Sequence, residues 1–237
     1  VNALEHLLLI DKPSDWTSHD VVAKIRGLFP RKTKVGHCGT LDPAATGLLV
    51  LLIGKATKLA SAYQGLDKVY TGSIRLGTTT DSGDLEGKEI RKALVPPTLD
   101  DAALQALFDK NLGEIDMIVP KYSAVKVAGK PLYKYARQGK EAPEVRRVSR
   151  IDAFRLTGYK APEARFSLTC SSGTYVRALA MRLGEQIGCG ATLSALRRES
   201  IGAFPIEDAM TVEAAVALAK AEGVEALLAK GLVPVSE

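Results

Sequence analysis

Between Leu48 and Ile53 the chain carries its longest unbroken apolar run, LLVLLI, bounded by Gly47 and Gly54. Leu, Val and Ile in unbroken succession between glycines predict a strand buried on both faces. The stretch that feeds it, GHCGTLDPAAT, is crowded with loop formers, so Asp42 is expected on a tight loop leading into a rigid element. Upstream, His6 to Ile10 reads as a short strand followed by the turn DKPSDW. Thr17 with Asp20 has the spacing of a capping box, and VVAKIRGLF has the spacing of an amphipathic helix ending near Phe29. Pro30 and the basic connector RKTKV come next. Beyond the buried run, KATKLASAYQ reads as a helix carrying Lys58, and KVYTGSIRLG alternates as a strand with Lys68, Tyr70, Gly72 and Ile74 on one face.

The second half is punctuated more heavily. TTTDSGDLEG is dense in turn residues and predicts a loop, and Thr98 with Asp101 predicts the start of a helix over LDDAALQALFDKNLG that Gly113 stops. YSAVKV, the turn AGKP, a short helix LYKYARQ and a long strand RRVSRIDAFRL follow. RFSLTC is a further strand that runs into SSGTYVRALAMRLGEQIG, where a loop meets a helix and places Tyr175 and Arg177 in its first turn. In ATLSALRRES, Arg197 and Arg198 stand beside Leu196. From Ile206 onward the chain turns acidic and reads as two small helices, packed as a lid or opening a second domain. Alternating strands, hairpin-like links and the absence of regular βαβ spacing predict an α+β fold: a central, mostly antiparallel mixed sheet with a cleft across it and flanking helices.

Composition narrows the class without naming a function. At 237 residues, 46% hydrophobic and 25% charged, the chain can bury the core of one large domain or two small ones. No segment has the length of apolar chain needed to cross a bilayer, and Leu7 to Ile10 is too short for a signal-peptide core. Cys38, Cys170 and Cys189, odd in number and far apart, form neither a disulfide framework nor a CxxC zinc site, which fits a reducing cytoplasm. Asp81, Asp84 and Glu86 invite a calcium reading, but the EF-hand spacing and its closing Glu are missing, so no metal is expected there.

Charge is more informative once located. Residues 120–150 hold nine Lys or Arg (Lys121, Lys126, Lys130, Lys134, Arg137, Lys140, Arg146, Arg147, Arg150) against Glu141 and Glu144, a local +7 that exceeds the whole chain's +5. Tyr122, Tyr133 and Tyr135 interleave with these cations. Phosphate attraction beside base stacking is the pairing expected of a nucleic-acid surface, and the alternative is a solvated basic face. The segment reads as a projecting arm between better-defined elements. Asp42, taken by itself, is either a reactive carboxylate or the opener of an Asp-Pro turn.

Five blocks in order then supply a resemblance that covers nearly the whole chain: LLLIDKP, VGHCGTLDPAATGLL, KVYTGSIRLG with TDSGDLEG, YSAVKVAGKPLYKYARQG, and CSSGTYVRALAMRLGEQIGCGATLSALRR. Together they resemble the bacterial tRNA pseudouridine-55 synthases, the TruB family. The resemblance implies the pseudouridine synthase fold and isomerisation of a T-loop uridine without a cofactor, the reaction being redox-neutral. The C1′–N1 bond breaks, the base turns within the site, and C5 joins C1′. It implies Asp42 as nucleophile, through attack on either the sugar or C6 of the base. Arg177 resembles the arginine that pairs with the nucleophile and holds it ionised, and Tyr70 the tyrosine that stacks on uracil and receives the C5 proton. His37 resembles the histidine that holds the everted loop, while Tyr175 and Leu196 match positions lining the base pocket. Lys12 with Pro13 resembles a turn near the site, and Lys58 is expected to meet phosphate.

Residues 120–150, with Lys121, Lys126, Lys130, Lys134, Arg137, Arg146 and Arg147, are implied to be an insertion that clamps RNA and orders on binding. Flipping the base out costs a few kcal/mol, which such a grip would offset. The expected organisation is a catalytic domain over 1–205 and a short helical segment over 206–237. The C-terminal PUA domain of longer relatives is expected to be absent. The expected partner is the T-arm of tRNA, with no metal, no membrane and nothing demanding a partner chain, so a monomer is expected. The alternative from another class is a tRNA-binding or tRNA-folding protein without turnover.

Overall fold

The run Leu48–Ile53 is the centre of the first folded unit, and its alternation explains why. A computed structural model of the chain describes residues 5–123, 125–138 and 143–232. In it β1 (Glu5–Lys12), α1 (Ser18–Arg26), β2 (Val35–Cys38) and β3 (Thr46–Gly54) are followed by a 3-10 turn (Lys55–Leu59), α2 (Ala60–Gly65) and β4 (Lys68–Leu76). Next come β5 (Thr78–Thr80), β6 (Glu89–Lys92), α3 (Asp101–Asp109), β7 (Gly113–Ile118), β8 (Lys126–Val127), β9 (Lys130–Pro131) and α4 (Leu132–Arg137). The chain continues through β10 (Arg146–Lys160), β11 (Glu163–Cys170), α5 (Val176–Ile187), β12 (Ala191–Ile201), β13 (Phe204–Pro205), β14 (Met210–Thr211), α6 (Val212–Glu222) and α7 (Val224–Ala229). The fold is α+β with a large mixed sheet.

Contacts divide the chain into one unit formed by residues 1–70 with 196–237 and a second formed by 71–195. The chain passes between them inside β4 and inside β12. In the first unit the strand order is β14, β1, β3, β12, with β2 also paired to β3 and β13 to β12. β1/β3, β2/β3 and β12/β13 are antiparallel, whereas β1/β14 and β12/β3 are parallel. Because successive strand residues face opposite sides, Leu49, Leu51 and Ile53 join one core with Leu8, Ile10, Val21 and Ile25. Leu48, Val50 and Leu52 join another with Leu7, Leu9, Cys38 and Ala56. Every residue from Leu48 to Ile53 is fully buried.

The expected capping box is present: Thr17 Oγ1 accepts from Asp20 N at 3.1 Å, and Asp20 Oδ2 accepts from Thr17 N at 2.8 Å. The two helices expected in the acidic tail are α6 and α7. Val212, Ala215, Leu227 and Leu228 from them complete the same core that α1 enters.

The second unit pairs β4 with β11, β11 with β10 and β10 with β7, the last two pairings antiparallel. Phe108, on α3, stacks on Phe154 with centroids 3.8 Å apart, and Phe154 meets Phe166 edge-on at 5.6 Å. The α3 cap is Asp100, whose side chain accepts from Ala103 N, and not Thr98; the shift follows from Asp100 being the last residue with extended dihedrals. Residues 78–87 are not loop throughout, since Thr78–Thr80 pairs with β6 as a small hairpin. The basic arm is likewise only partly an insertion. Arg146, Arg147 and Arg150 lie in β10, in register with β7.

Candidate active site

Asp42 lies on the loop between β2 and β3, half-buried, and the loop is fastened along its length by polar groups of the first unit. Lys12 is fully buried, and its ammonium donates to the carbonyls of Pro13 at 2.8 Å, Trp16 at 2.6 Å and Pro43 at 3.0 Å. Three N–H donors therefore find three backbone acceptors, one of them next to Asp42. Buried so, Lys12 ties the loop from beneath, and it offers no surface to a ligand. Ser18, the first residue of α1, donates to Leu41 O and accepts from Leu41 N. Asp15 N donates to Pro43 O, and Ala45 N closes a turn on Asp42 O at 3.1 Å.

The loop's two ends are stapled by Arg198, which is 1% exposed. Its Nε donates to Leu48 O at 2.7 Å and its Nη2 to Gly39 O at 3.1 Å. Neighbouring strand residues face opposite sides, so Arg197 turns instead to Asp11 and holds it with two bonds of 3.0 and 2.8 Å. Gly47, the second residue of β3, stands at φ +99°, and a Cβ there would lie 2.3 Å from the Arg198 carbonyl oxygen. Only glycine permits that approach. In the sequence Arg198 stands only as a neighbour of Leu196. Its role depends on a partner strand 150 residues away, which no local pattern announces.

Other expected residues of this unit fall as follows. His37 is on β2, its ring 6.1 Å from that of His19 in an edge-on contact, and its Nδ1 is buried without a hydrogen-bond partner. Burial, reinforced by His19 and Arg198, pushes its pKa below the ordinary value, so the imidazole is neutral at pH 7. The adjoining Cys38 thiol is buried and pushed up to about 12. Tyr70, 8% exposed, shares a β4 face with Lys68, whose ammonium donates to Gln64 O at 2.6 Å and also to Leu66 O. Leu196 is half-buried on β12, with Thr46 Oγ1 donating to its carbonyl at 3.5 Å. Lys58 is exposed on the 3-10 turn.

In the second unit Tyr175 is the residue before α5 and Arg177 lies in the first turn, as the loop-to-helix pattern predicts. Arg177 is 5% exposed. Its Nη1 donates to Ser82 O at 3.0 Å and stands 3.4 Å from Asp84 Oδ2, and its Nη2 donates to Tyr122 O at 2.8 Å. Asp84 is set in turn by Ser82 Oγ at 2.5 Å and Glu86 N at 3.1 Å on its Oδ1. Asp81 accepts from Lys88 N at 2.8 Å. The carboxylates that suggested calcium thus order the loop and orient an arginine. The pairing of Asp84 with Arg177 has no local signal in the sequence, where Asp84 suggests only a metal ligand. Among the described residues no group of three His, Cys, Asp or Glu could hold a metal ion.

The arm carries its cations unevenly. Lys121, Lys126, Lys130, Lys134 and Arg147 are exposed. Arg146 is drawn into ion pairs with Asp116 at 2.6 Å and Glu144 at 2.9 Å, and Arg150 with Asp152 at 2.8 Å. The Arg137 side chain and Lys140 lie outside the described residues. β8 and β9 form a two-residue hairpin leading to α4, and Leu132 is buried beneath it.

Comparison with known proteins identifies the family. Residues 26–176 match the TruB family pseudouridylate synthase N-terminal domain, and residues 177–237 match the tRNA pseudouridylate synthase B C-terminal domain. A protein of Opitutus terrae named tRNA pseudouridine synthase B is 45% identical over 232 residues, covering 98% of this chain and 93% of its own. One of the same name from Chlorobaculum tepidum is 48% identical over 213 residues, covering 88% of each. Among solved structures, a chain of a Cbf5-Nop10-Gar1 complex superposes with TM-score 0.73 at 26% identity, covering 96% of this chain and 60% of that one. A chain of an H/ACA RNP bound to a substrate RNA containing 2'-deoxyuridine superposes at 0.70 and 23% identity, a likeness of fold, with this chain spanning 59% of it. The chain belongs to the TruB family of pseudouridylate synthases.

Proposed function

We propose that this chain converts the uridine at position 55, in the T-loop of tRNA, into pseudouridine, with Asp42 as nucleophile. The observation that carries the reading is the fastening of the Asp42 loop: Lys12, Ser18 and Arg198 hold backbone atoms on both sides of a half-buried carboxylate. A nucleophile fixed in this way reacts without first being ordered, which lowers the entropic part of its barrier. A protein that only binds or folds tRNA has no need of that fixation, and the relatives described above carry the name of an enzyme.

The isomerisation neither gains nor loses atoms. The C1′–N1 bond breaks, the uracil turns, C5 bonds to C1′, and the proton leaving C5 is balanced by one gained at N1. The Asp42 carboxylate serves as nucleophile whether it attacks C1′ or C6. Arg177 is the cation that keeps Asp42 ionised, itself oriented by Asp84, Ser82 O and Tyr122 O. Tyr70 stacks on the base and takes up the C5 proton, Tyr175 and Leu196 line the base pocket, and neutral His37 supports the everted loop. Lys12 acts through the loop it ties down. Lys58 and the arm's exposed lysines, Lys121, Lys126, Lys130 and Lys134, with Arg147, meet phosphates. Arg137 and the ion-paired Arg146 are assigned to the same clamp. No cofactor enters a redox-neutral rearrangement. The enzyme works as a monomer in the cytoplasm, where its tRNA is.

The test is a tRNA transcript incubated with the protein and no added cofactor. One T-loop uridine should convert without change of mass and become reactive to carbodiimide. Release of free uracil would indicate base removal instead, and an unconverted transcript that still binds would indicate a binding protein.

A further inference from the structure

The first unit carries a cationic face of its own. From residue 24 to residue 58 the chain holds Lys24, Arg26, Arg31, Lys32, Lys34, Lys55 and Lys58, with Asp42 as the sole acid. Arg31, Lys32, Lys34, Lys55 and Lys58 are all exposed. The fold gathers them from two places in the sequence. β2 runs antiparallel to β3 with Val35 opposite Ile53, and Gly54 N donates to Lys34 O at 2.8 Å, so Lys34 and Lys55 flank one backbone pair.

The face is also ordered. Thr33 N closes a turn on Pro30 O at 2.8 Å, Phe29 is buried beneath it, and Thr57 Oγ1 donates to Gly54 O at 2.8 Å. Glu5, on β1, stands in register with Gly54. Among the described residues neither it nor any of these five cations takes part in an ion pair. The arm differs, because Arg146 and Arg150 are already paired with acids. From this face β2 leads through His37 straight to the Asp42 loop, and its few residues at about 3.4 Å each put the cations roughly 14 Å back from the loop.

We propose that Arg31, Lys32, Lys34 and Lys55, together with Lys58, form a second contact for the RNA backbone, gripping phosphates of the tRNA whose uridine reaches Asp42. This rests on the function proposed above and adds where that substrate is held. Unpaired cations on an ordered turn release counterions on binding without first being ordered or stripped of acid partners.

The experiment compares the full chain with R31Q/K32Q/K34Q/K55Q. Fluorescence anisotropy with a labelled tRNA transcript is followed from about 50 to about 200 mM salt. The slope of log K against log salt should flatten by about 2 to 3.5, at up to ~0.9 per lost phosphate contact, and affinity should fall at least about 10-fold at the low-salt end. The charge-keeping variant R31K/K32R/K34R/K55R should retain the native slope, which a merely structural effect would not grant. Should the fourfold variant fail to fold, K34Q/K55Q is read in the same way with half the expected change. A native slope in a folded variant overturns the proposal. So does tighter binding to vesicles of anionic phospholipid than to tRNA, lost in the variant, which would assign the face to a membrane. The unsubstituted chain, assayed for uridine conversion in the same preparation, keeps the two readings apart: failure to convert counts against the enzyme, and conversion with an unmoved slope counts against this face alone.

Discussion

Replacing Arg198 with methionine removes the staple across the Asp42 loop while keeping most of the side chain's volume. Two hydrogen bonds from a charged donor are lost, at 2.7 Å to Leu48 O and 3.1 Å to Gly39 O, in a place only 1% exposed. Bonds of this kind contribute about 1.5 to 3 kcal/mol each, and the two carbonyls stay buried without these partners. A loss of about 3 to 6 kcal/mol follows, large against a typical total of about 5 to 15 kcal/mol but short of unfolding a chain in the middle of that range. The catalytic effect should exceed the structural one. The staple ties Gly39, the first residue of the loop, to Leu48, the third residue of β3, and a reacting group displaced by about 1 Å costs roughly 100-fold in rate. Urea denaturation measures the first quantity, and single-turnover pseudouridine formation on a tRNA transcript measures the second. kcat should fall about 100-fold with KM within a few-fold, and Arg198→Lys should recover part of the stability, because one ammonium cannot span both carbonyls as the guanidinium fork does. A folded R198M enzyme with native kcat, destabilised by under about 1 kcal/mol, would refute the reasoning.

Other consequences follow from the same loop. Gly47→Ala forces a Cβ to within 2.3 Å of the Arg198 carbonyl at φ +99°, and strain plus overpacking should cost at least about 3 kcal/mol in urea denaturation. His37 has a folded pKa below its ordinary 6.5, so protonation favours the unfolded chain. Its contribution is complete above about pH 6.5 and is lost as pH falls through the lowered folded value; denaturation curves of His37→Asn should therefore depend less on pH below 6.5 than those of the native protein. Cys38, buried with its thiol pushed up to about 12, should resist iodoacetamide at pH 8 in the folded protein and react once urea is added, as peptide mass spectrometry would record.

What the sequence announced was what local chemistry determines. The Thr17–Asp20 box, the doubly buried run Leu48–Ile53 and the loop-to-helix junction at Tyr175 each depend on residues within a few positions, and each stands where the pattern placed it. The elements that went unread owe their form to distant partners. VGHC looks like loop because of Gly36, yet it is a strand because β3 offers Val50 to Ile53 as an edge. GEIDMI and ATLSALRRES carry charges that mask their alternation, and they become β7 and β12 by pairing with β10 and β3. The candidate site divides in the same way. Asp42 and Arg177 were legible through motifs, whereas Asp84 and Arg198, which orient an arginine and a loop, become visible only when residues about 90 and 150 positions apart are brought into contact.

The central claim is that the Asp42 carboxylate carries out the chemistry while the rest of the molecule holds it and the RNA. Asp42→Asn changes the charge and almost nothing in size, so the informative measurement is pseudouridine formation and tRNA affinity on the same variant. With asparagine at position 42, tRNA binding should stay within a few-fold of native and no carbodiimide-reactive product should form, even at enzyme in excess over tRNA. Product formed by the asparagine variant at a rate near that of the native protein would contradict it.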